Sequence, residues 1–321
     1  MPAVKSASRR SSADGGTAPP HRFGAHLSIA GGLHRALQAA LRSRFDTLQV
    51  FVKNQRQWRM PPLRPDDLER WRELRRGARL EPIVAHATYL INLASEDEQL
   101  YARSRAACAQ ELQRCDVLEI PYLVVHPGAA GAQARPRALA RVAAALNRIF
   151  ARHPDLRVQV LLETTAGQGS TLGSSFDELR AIVSRLEQPA RVGICVDTCH
   201  VFAAGYDIRR PAGYAALVAD AERAIGLERI RCWHLNDSRA ACGSRVDRHA
   251  HIGHGRIGAA GFRNILADPR FGGLPMIIET PKGTTPAGRD WDRVNVQRLR
   301  AIATRARGQA AVSQHGRTRL Y

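Results

Sequence analysis

The sequence predicts an α/β protein folded as a closed (β/α)8 barrel, and two observations lead to that prediction. Short apolar runs alternate with helix-like segments eight times along the chain, and no linker divides them. The first run is not followed by a GxGxxG turn, which a doubly wound sheet would more often show. A chain of 321 residues with eight β/α units therefore favours one barrel domain over an open sheet.

The eight predicted strands are short, mostly apolar and bounded by turn residues, as expected of parallel strands that are buried on both faces. In chain order they are FGAHLSI (23–29), TLQVFVK (47–53), EPIVAHA (81–87), YLVVHPG (122–128), RVQVLLE (157–163), RVGICVD (191–197), IRCWHLN (230–236) and MIIET (276–280). Between the strands, apolar residues recur three and four positions apart, which predicts helices. Examples are residues 139–149, 176–186 and 291–305.

Both ends of the chain differ in composition from this repeating pattern. Residues 1–22 are rich in serine, arginine, glycine and proline, which is typical of disorder, and residues 305–321 are basic. The sequence therefore predicts a barrel domain over 23–304, between a disordered basic N-terminal tail (1–22) and a basic C-terminal tail (305–321).

The chain carries a formal net charge of +19 and has a sequence pI near 11.0. Only Lys5, Lys53 and Lys282 are lysines, and the other cations are arginines. Arginine suits bidentate phosphate contacts, although a GC-rich genome would also favour arginine over lysine. The excess of positive charge itself predicts a polyanionic partner.

Cysteine usage and hydropathy predict where the protein works. The six cysteines show no short secreted framework, no apolar signal segment precedes them, and no run approaches the 18 apolar residues of a membrane span. We therefore expect a cytoplasmic protein without a membrane partner. Cys195 and Cys199 are four residues apart, which allows a zinc–thiolate site, but ordinary buried cysteines are the favoured interpretation.

Polar residues at the strand ends predict the functional site, because catalytic groups of a barrel lie at the carboxyl ends of its strands. The third to eighth predicted strands all end in a residue type that binds metals. A lone strand-end histidine is more often structural, but six coincidences in a row are not plausible. The six residues are His86, His126, Glu163, Asp197, His234 and Glu279. His26, on the first strand, either supports this site or is structural.

Three further candidates lie in the loops that follow the strands. His200 follows Asp197 at i+3, and Asp247 and His249 have the i, i+2 spacing that points two side chains to the same side of an extended segment. The nine candidates comprise five histidines, two aspartates and two glutamates. This donor set suits Zn²⁺ or Mn²⁺, and its size suits three ions.

The charge of such a site indicates a substrate. Four carboxylates against three divalent ions leave a charge of about +2, which a phosphodiester and a metal-bound hydroxide would neutralise. Clustered metals of this kind stabilise both the attacking and the leaving oxygen in phosphoryl transfer. Together with the basic surface, this predicts a nuclease.

At these residues the chain resembles the endonuclease IV family of apurinic/apyrimidinic (AP) endonucleases, over roughly residues 23–300. The matching blocks are GAHLSIAGGL, FVKNQRQW, HATYLINL, HPG, ETTAGQGSTLG, DTCHVFAAGYDIR, HLNDS, GSRVDRHAHIGHGRIG and IIET. The resemblance implies a TIM barrel with a trinuclear zinc site, in which Glu163 bridges two ions and acts in catalysis. The implied ligand sets are His86, His126 and Glu163; Glu163, Asp197, His234 and Glu279; and His200, Asp247 and His249.

The resemblance also implies an activity of the deoxyribonuclease IV type in DNA base excision repair. Such an enzyme hydrolyses the phosphodiester 5′ to an abasic site, leaves a 3′-hydroxyl and a 5′-deoxyribose phosphate, and also cleans blocked 3′ ends. By the same resemblance, Arg56, Tyr89 and Leu90 would insert into damaged duplex DNA, where a guanidinium and an aromatic ring can replace lost base stacking. We expect a monomer that is associated with the bacterial nucleoid through DNA.

The chain departs from the family pattern at several positions that are not ligands. Ala87 and Thr88 follow His86 where Asp-Ser is common, Ala129 stands where a polar residue is usual, and His254 replaces a frequent glutamate. These departures affect the surroundings of the ligands, not the class of enzyme.

Two other functions remain open from the sequence. A metal-dependent TIM-barrel sugar isomerase or epimerase also has His, Asp and Glu at its strand ends, but it needs one or two metals and would leave His200, Asp247 and His249 unused. A noncatalytic DNA-binding relic would have no reason to keep four carboxylates crowded together. Metal content discriminates among the three.

Overall fold

Eight parallel strands close into a barrel in the computed structural model, which describes the backbone of residues 19–317 and the side chains of residues 19–306. Each strand pairs with the next along the chain, and the last pairs with the first. The barrel strands are β1 (Arg22–Leu27), β2 (Thr47–Phe51), β3 (Val84–His86), β4 (Tyr122–Val125), β5 (Gln159–Glu163), β6 (Val192–Asp197), β7 (Ile230–His234) and β10 (Pro275–Ile278). The predicted (β/α)8 TIM barrel is confirmed, strand by strand.

Helices surround the barrel and connect its strands. They are α1 (Leu33–Ser43), α2 (Pro65–Gly77), α3 (Glu98–Val117), α4 (Arg135–Arg152), α5 (Phe176–Val183), α6 (Thr198–Ala204), α7 (Pro211–Ile225), α8 (Gly258–Leu266) and α9 (Trp291–Arg317). Local sequence sets several of their starts. Pro65 and Pro211 begin α2 and α7, where a missing N–H costs nothing, and Asp97 caps α3 by accepting from the backbone N–H of Gln99 and Leu100.

Two features differ from the sequence prediction. The short antiparallel pair β8 (Asp237–Ser238) and β9 (His249–Ala250) lies between β7 and α8 and was not predicted, because strands of two residues carry no periodicity. Helix α9 continues past the predicted domain boundary at residue 304 to Arg317. Residues 1–18 of the predicted N-terminal tail (1–22) lie outside the described residues, and Arg22 is the first residue of β1. None of the helices in the described part of the chain is long and apolar enough to cross a membrane.

The hydrophobic core has two parts. A layer of fully buried side chains fills the inside of the barrel, and a larger layer packs between strands and helices. The inner layer consists of Val84, Val124, Leu161, Cys195, Cys232 and Ile277. Cys195 and Cys199 are buried, unpaired cysteines, as the favoured interpretation had it. In the described chain, no group of close metal-ligand atoms contains both of them.

Candidate metal centre

The six strand-end residues singled out from the sequence lie together at the carboxyl end of the barrel. His86, Glu163, Asp197 and His234 are the last residues of β3, β5, β6 and β7. The remaining two, His126 and Glu279, follow β4 and β10 directly. Because parallel strands end at one rim, residues far apart in the chain converge there.

The nine candidates form three groups of side chains, and the ligand atoms of each group lie within 4.8 Å of one another. The groups are His86, His126 and Glu163; Glu163, Asp197, His234 and Glu279; and His200, Asp247 and His249. The described residues also contain two mixed groups with cysteine, namely Cys195, Cys232 and His234, and Asp197, Cys199 and His249.

Glu163 lies at the junction of the first two groups. Its Oε2 atom is 3.1 Å from Nε2 of His86 and 2.9 Å from Nε2 of His126, whereas its Oε1 atom is 2.8 Å from Nδ1 of His234. The side chain is fully buried. The two oxygens of one carboxylate therefore face two different groups, which is the arrangement that a bridging ligand requires.

The third group is built by α6 and by the β8–β9 pair. Asp197 caps α6 and accepts a hydrogen bond from the backbone N–H of His200, so that one short segment serves two groups. Nε2 of His200 lies 3.1 Å from Oδ2 of Asp247, and Nε2 of His249 lies 3.3 Å from Oδ1 of the same aspartate. The pairing of His249 with Ser238 in the β8–β9 ladder holds this loop over the rim.

Four histidines share a hydrogen-bonding pattern that is typical of metal ligands. Each donates one ring N–H to a protein oxygen outside the carboxylate cluster and turns its other nitrogen toward a carboxylate, which fixes the tautomer and the ring orientation. The outer acceptors are the carbonyl of Ala87 for His86, the carbonyl of Thr164 for His200, Oε1 of Gln49 for His234 and the carbonyl of Glu279 for His249.

The charges of the cluster also fit divalent cations. Burial alone would raise the pKa of Glu163, but the facing imidazoles of His234 and His126 hold that pKa well below its usual range. Burial alone would lower the pKa of His200, yet Asp197 and Asp247 hold that pKa well above its usual value. Protonated histidines thus balance the negative charge of the carboxylates. Metal cations that replaced these protons would balance the same charge.

One buried ring nitrogen illustrates how the cluster suits a cation. Nε2 of His249 is buried and makes no hydrogen bond, although it lies 3.3 Å from a carboxylate oxygen of Asp247 and 3.8 Å from one of Asp197. A buried ring nitrogen that faces two carboxylates is suited to share a cation with them. The imidazole and carboxylate donors present therefore fit zinc or manganese ions.

Sequence reasoning missed residues that orient the ligands. Gln49 is fully buried in β2, where its Nε2 atom donates to Oε1 of Glu279 at 2.6 Å and its Oε1 atom contacts Nε2 of His234 at 2.8 Å. Asn236 donates to Oδ2 of Asp197 at 2.6 Å and accepts from the backbone N–H of Glu279 at 2.7 Å. For Gln49, the sequence signal was a single amide side chain in the mostly apolar strand β2.

Asp237 organises the loop that precedes α8. Its buried carboxylate accepts backbone N–H groups from Ser238, Gly253, Gly255, Ile257 and Gly258. A Cβ atom on Gly255 would lie 2.4 Å from Oδ1 of Asp237, so only glycine fits there.

His26 lies beside the second group. Its Nδ1 atom is 2.9 Å from Nε2 of Gln49 and 3.5 Å from Oε1 of Glu279, and burial lowers the pKa of its ring. Of the two interpretations left open by the sequence, these contacts favour support of the ligands.

The three predicted DNA-inserting residues lie on neighbouring loops beside the cluster. Arg56 is exposed, Tyr89 is 62% exposed and Leu90 is half-buried. The Tyr89 ring centroid lies 5.5 Å from that of His86 and 6.0 Å from that of His126.

The positions that depart from the family pattern are divided between two places. Tyr89 lines a cavity of about 250 Å³, and Ala87, Thr88 and Ala129 are among its other lining residues. His254 lies elsewhere, edge-on to Trp291.

Known proteins resemble this chain over most of its length. A family model described as the xylose isomerase-like TIM barrel matches residues 37–302. A probable endonuclease 4 from Chloroflexus aurantiacus is 48% identical over 281 residues, which are 88% of this chain and 98% of that protein. A probable endonuclease 4 from Geobacter sulfurreducens is 43% identical over 283 residues, 88% of this chain and 95% of that protein.

Solved structures give a consistent comparison. Endonuclease IV from Thermus thermophilus superposes with a TM-score of 0.78 at 38% identity and covers 88% of this chain and 99% of its own. A D-tagatose 3-epimerase-like protein superposes with a TM-score of 0.69 at 21% identity, covering 90% of this chain and 99% of its own, which shows a shared fold alone.

Proposed function

Because this chain belongs to the endonuclease IV family of AP endonucleases, we propose that it hydrolyses the phosphodiester 5′ to abasic sites in duplex DNA. The products are a 3′-hydroxyl and a 5′-deoxyribose phosphate, and the same site removes blocking groups from 3′ ends. The observation that carries this proposal is the junction at Glu163, where two of the three groups of metal-ligand residues share one carboxylate, with the exposed ring of Tyr89 beside them. The enzyme works as a monomer in the cytoplasm, on the DNA of the nucleoid.

The nine clustered residues are assigned to three zinc ions, for which manganese could substitute. His86, His126 and Glu163 hold the first; Glu163, Asp197, His234 and Glu279 the second; and His200, Asp247 and His249 the third. Bound ions of this kind would supply Lewis acidity, activate a water molecule and neutralise charge on the phosphodiester.

The protein's own contribution is to position charged groups in a largely buried site. Glu163 and Asp197 are fully buried, so their charges act in a low-dielectric environment where electrostatic effects are strong. His126 and Asp247 are the more open members of the cluster, with side chains 34% and 40% exposed. This difference supports entry of the substrate phosphate from their side.

Arg56, Tyr89 and Leu90 are assigned to lesion recognition. An abasic site lacks one base, so the duplex is locally unstacked and bends at low cost. A tyrosine ring and a leucine side chain can fill the space of the missing base, and a guanidinium can stack beside them. The exposure of Arg56 and Tyr89, and the position of the Tyr89 ring next to His86, support this assignment.

The third metal group favours the nuclease over a sugar isomerase or epimerase. One or two ions are enough for isomerisation, and His200, Asp247 and His249 would then have no task. The net charge of +19 likewise suits a polyphosphate substrate better than a neutral sugar.

The decisive experiment is incubation of the zinc-loaded protein with a duplex that contains one abasic site, followed by identification of the product ends. We expect a cut 5′ to the lesion with a 3′-hydroxyl, because hydrolysis at phosphorus involves no β-elimination. A 3′ unsaturated aldehyde would indicate lyase chemistry and contradict the proposal. Metal analysis should give about three zinc ions per chain; one or two would favour the isomerase.

A further inference from the structure

An ion pair outside the metal centre is buried below the two loops that carry the DNA-inserting residues. Lys53, which follows β2, places its Nζ atom 3.9 Å from Oε1 of Glu111 on α3. Lys53 is 4% exposed and Glu111 is 1% exposed. Neither belongs to the three groups of ligands. We call residues 52–64, between β2 and α2, the first loop, and residues 87–97, between β3 and α3, the second loop.

Lys53 ties together the backbone of the first loop. Its ammonium group donates to the carbonyl oxygens of Gln57 and Trp58, the latter at 3.2 Å. These two residues directly follow Arg56. The ammonium therefore closes the loop around the segment that presents the arginine side chain, and it satisfies backbone carbonyls that have no ladder partner.

Glu111 joins this arrangement to the second loop. Its Oε2 atom accepts the backbone N–H of Thr88 at 3.2 Å, and Thr88 in turn donates its hydroxyl to the carbonyl of Gln55. Thr88 precedes Tyr89, and Gln55 precedes Arg56. Arg56 and Tyr89 are thus each one position away from a direct link between the loops.

Other side chains of α3 hold one loop each. Arg114 donates to the carbonyl of Val52 at 3.1 Å, Arg103 places its guanidinium 4.5 Å from the ring centroid of Trp58, and Ser104 accepts the N–H of Asn92 at 3.0 Å. Of these α3 side chains, Glu111 is the one whose contacts include both loops.

Stability alone does not explain this pair. Desolvation of two buried charges offsets much of their attraction, and apolar residues of similar volume often stabilise a core equally well. What a charged pair provides, and an apolar pair does not, is a set of directed hydrogen bonds to backbone groups of both loops.

We infer that Glu111, acting with Lys53, is a positioning residue that fixes the spacing between Arg56 and Tyr89 before DNA binds. This inference rests on the proposed function for its consequence, since it is the insertion step that needs the spacing. A pre-ordered pair of loops avoids the ordering cost that flexible loops would incur when they enter the duplex.

Hydrogen exchange tests the link without reference to activity. In Glu111→Gln and in Lys53→Met, amide exchange in both loops should accelerate together, by roughly tenfold, because either substitution breaks the ion pair that connects them. Cys108→Ala is the matched control, because Cys108 is a fully buried α3 residue in the hydrophobic core. In this variant, amide exchange in the two loops should stay at the wild-type rate. If only one loop responds to Glu111→Gln, the inference is wrong, whatever the protein does to DNA.

A comparison of two substrates tests the consequence for insertion. With an abasic duplex, Glu111→Gln should raise KM about tenfold and reduce the fluorescence change of a 2-aminopurine placed beside the lesion. Hydrolysis of bis(p-nitrophenyl) phosphate, which requires the metals but no insertion, should stay within twofold of wild type. A parallel loss on both substrates would overturn the inference, whereas a wild-type protein inactive on the abasic duplex would count against the proposed function instead.

A double variant separates positioning from stability. In Lys53→Met combined with Glu111→Leu, we expect thermal stability near that of wild type, because the apolar pair removes both buried charges. The defect in KM and in 2-aminopurine fluorescence should nevertheless persist. If KM and the 2-aminopurine fluorescence change returned to wild-type values along with stability, the pair would be merely structural.

Discussion

Oε1 of Gln49 lies 2.8 Å from Nε2 of His234, and this contact decides which nitrogen of the histidine faces the carboxylates. An amide oxygen only accepts, so Nε2 of His234 carries a proton, and Nδ1 is the nitrogen that faces Glu163 and Glu279, at 2.8 and 3.2 Å. The amide nitrogen of the same glutamine holds Glu279. One buried side chain therefore orients two members of the second group.

We predict that Gln49→Leu weakens zinc binding at the second group by about 10- to 100-fold, the usual effect of losing a hydrogen bond to a ligand. Competition with a chromophoric chelator measures this affinity. Gln159→Leu is the control, because the Gln159 amide donates to the carbonyl of Ala190, far along β5 from the rim. Equal zinc affinities in the two variants would argue against the role of Gln49.

His200→Ala should empty the third group while leaving the pair of ions around Glu163 largely bound, because His86, His126 and His234 are unchanged. Glu163→Gln should lose both ions of that pair, because the substitution removes the negative charge that allows two cations to lie close together. Both variants should lose several orders of magnitude in cleavage rate, on the order of 10³ or more.

Zinc stoichiometry by elemental analysis checks these two variants. His153→Ala and Glu187→Gln change the same residue types at half-buried and exposed positions outside the three groups and should keep all ions. Three ions retained in His200→Ala, or an undiminished rate, would refute the assignment of that histidine.

Binding to duplex DNA should depend strongly on salt. If arginines neutralise phosphates, log affinity falls linearly with log salt concentration, with a slope of about −0.9 per phosphate contacted. Deleting residues 1–18 should reduce the slope without abolishing cleavage, because basic residues there would add only sequence-independent contacts. A flat response between low and physiological salt would mean that the +19 charge is not used on DNA.

Acid should selectively remove a contribution of Asp268 to folding stability. Burial alone would raise the pKa of Asp268, but hydrogen bonds from Arg270 and Tyr214 outweigh it and hold the pKa below the ordinary value of 3.8. The unfolded chain then binds the proton more readily, so the contribution is present above pH 3.8 and is lost as pH falls through the folded-state pKa.

Asp268→Asn should therefore lower the free energy of unfolding by about 1–3 kcal/mol at neutral pH, and the difference from wild type should shrink below pH 3.8. Urea unfolding at a series of pH values measures this. Asp155→Asn, at an exposed position, should be indistinguishable from wild type throughout. A difference for Asp268→Asn that is constant with pH would rule out the carboxylate charge as its source.

Much of the site could be predicted because chain order and rim position are linked in a parallel barrel. Once eight strands are recognised, the residue at each strand end is known to lie at one rim, so His86, Glu163 and His234 could be grouped without coordinates. Asp247 and His249 needed only their i, i+2 spacing. The unpredicted β8–β9 pair, which carries His249, is too short for periodicity to reveal it.

The sequence by itself determined the barrel, its strand order and the residue types at the rim, because burial on both faces and the alternation of strands and helices are written in local patterns. Only the tertiary structure decided which atoms meet: that the two oxygens of Glu163 face different groups, that Gln49 sets the tautomer of His234, and that Glu111 touches Thr88 and Lys53. Each of these contacts joins strands or loops far apart in the chain, and its geometry depends on barrel closure and side-chain rotamers, which leave no periodic signal in the sequence.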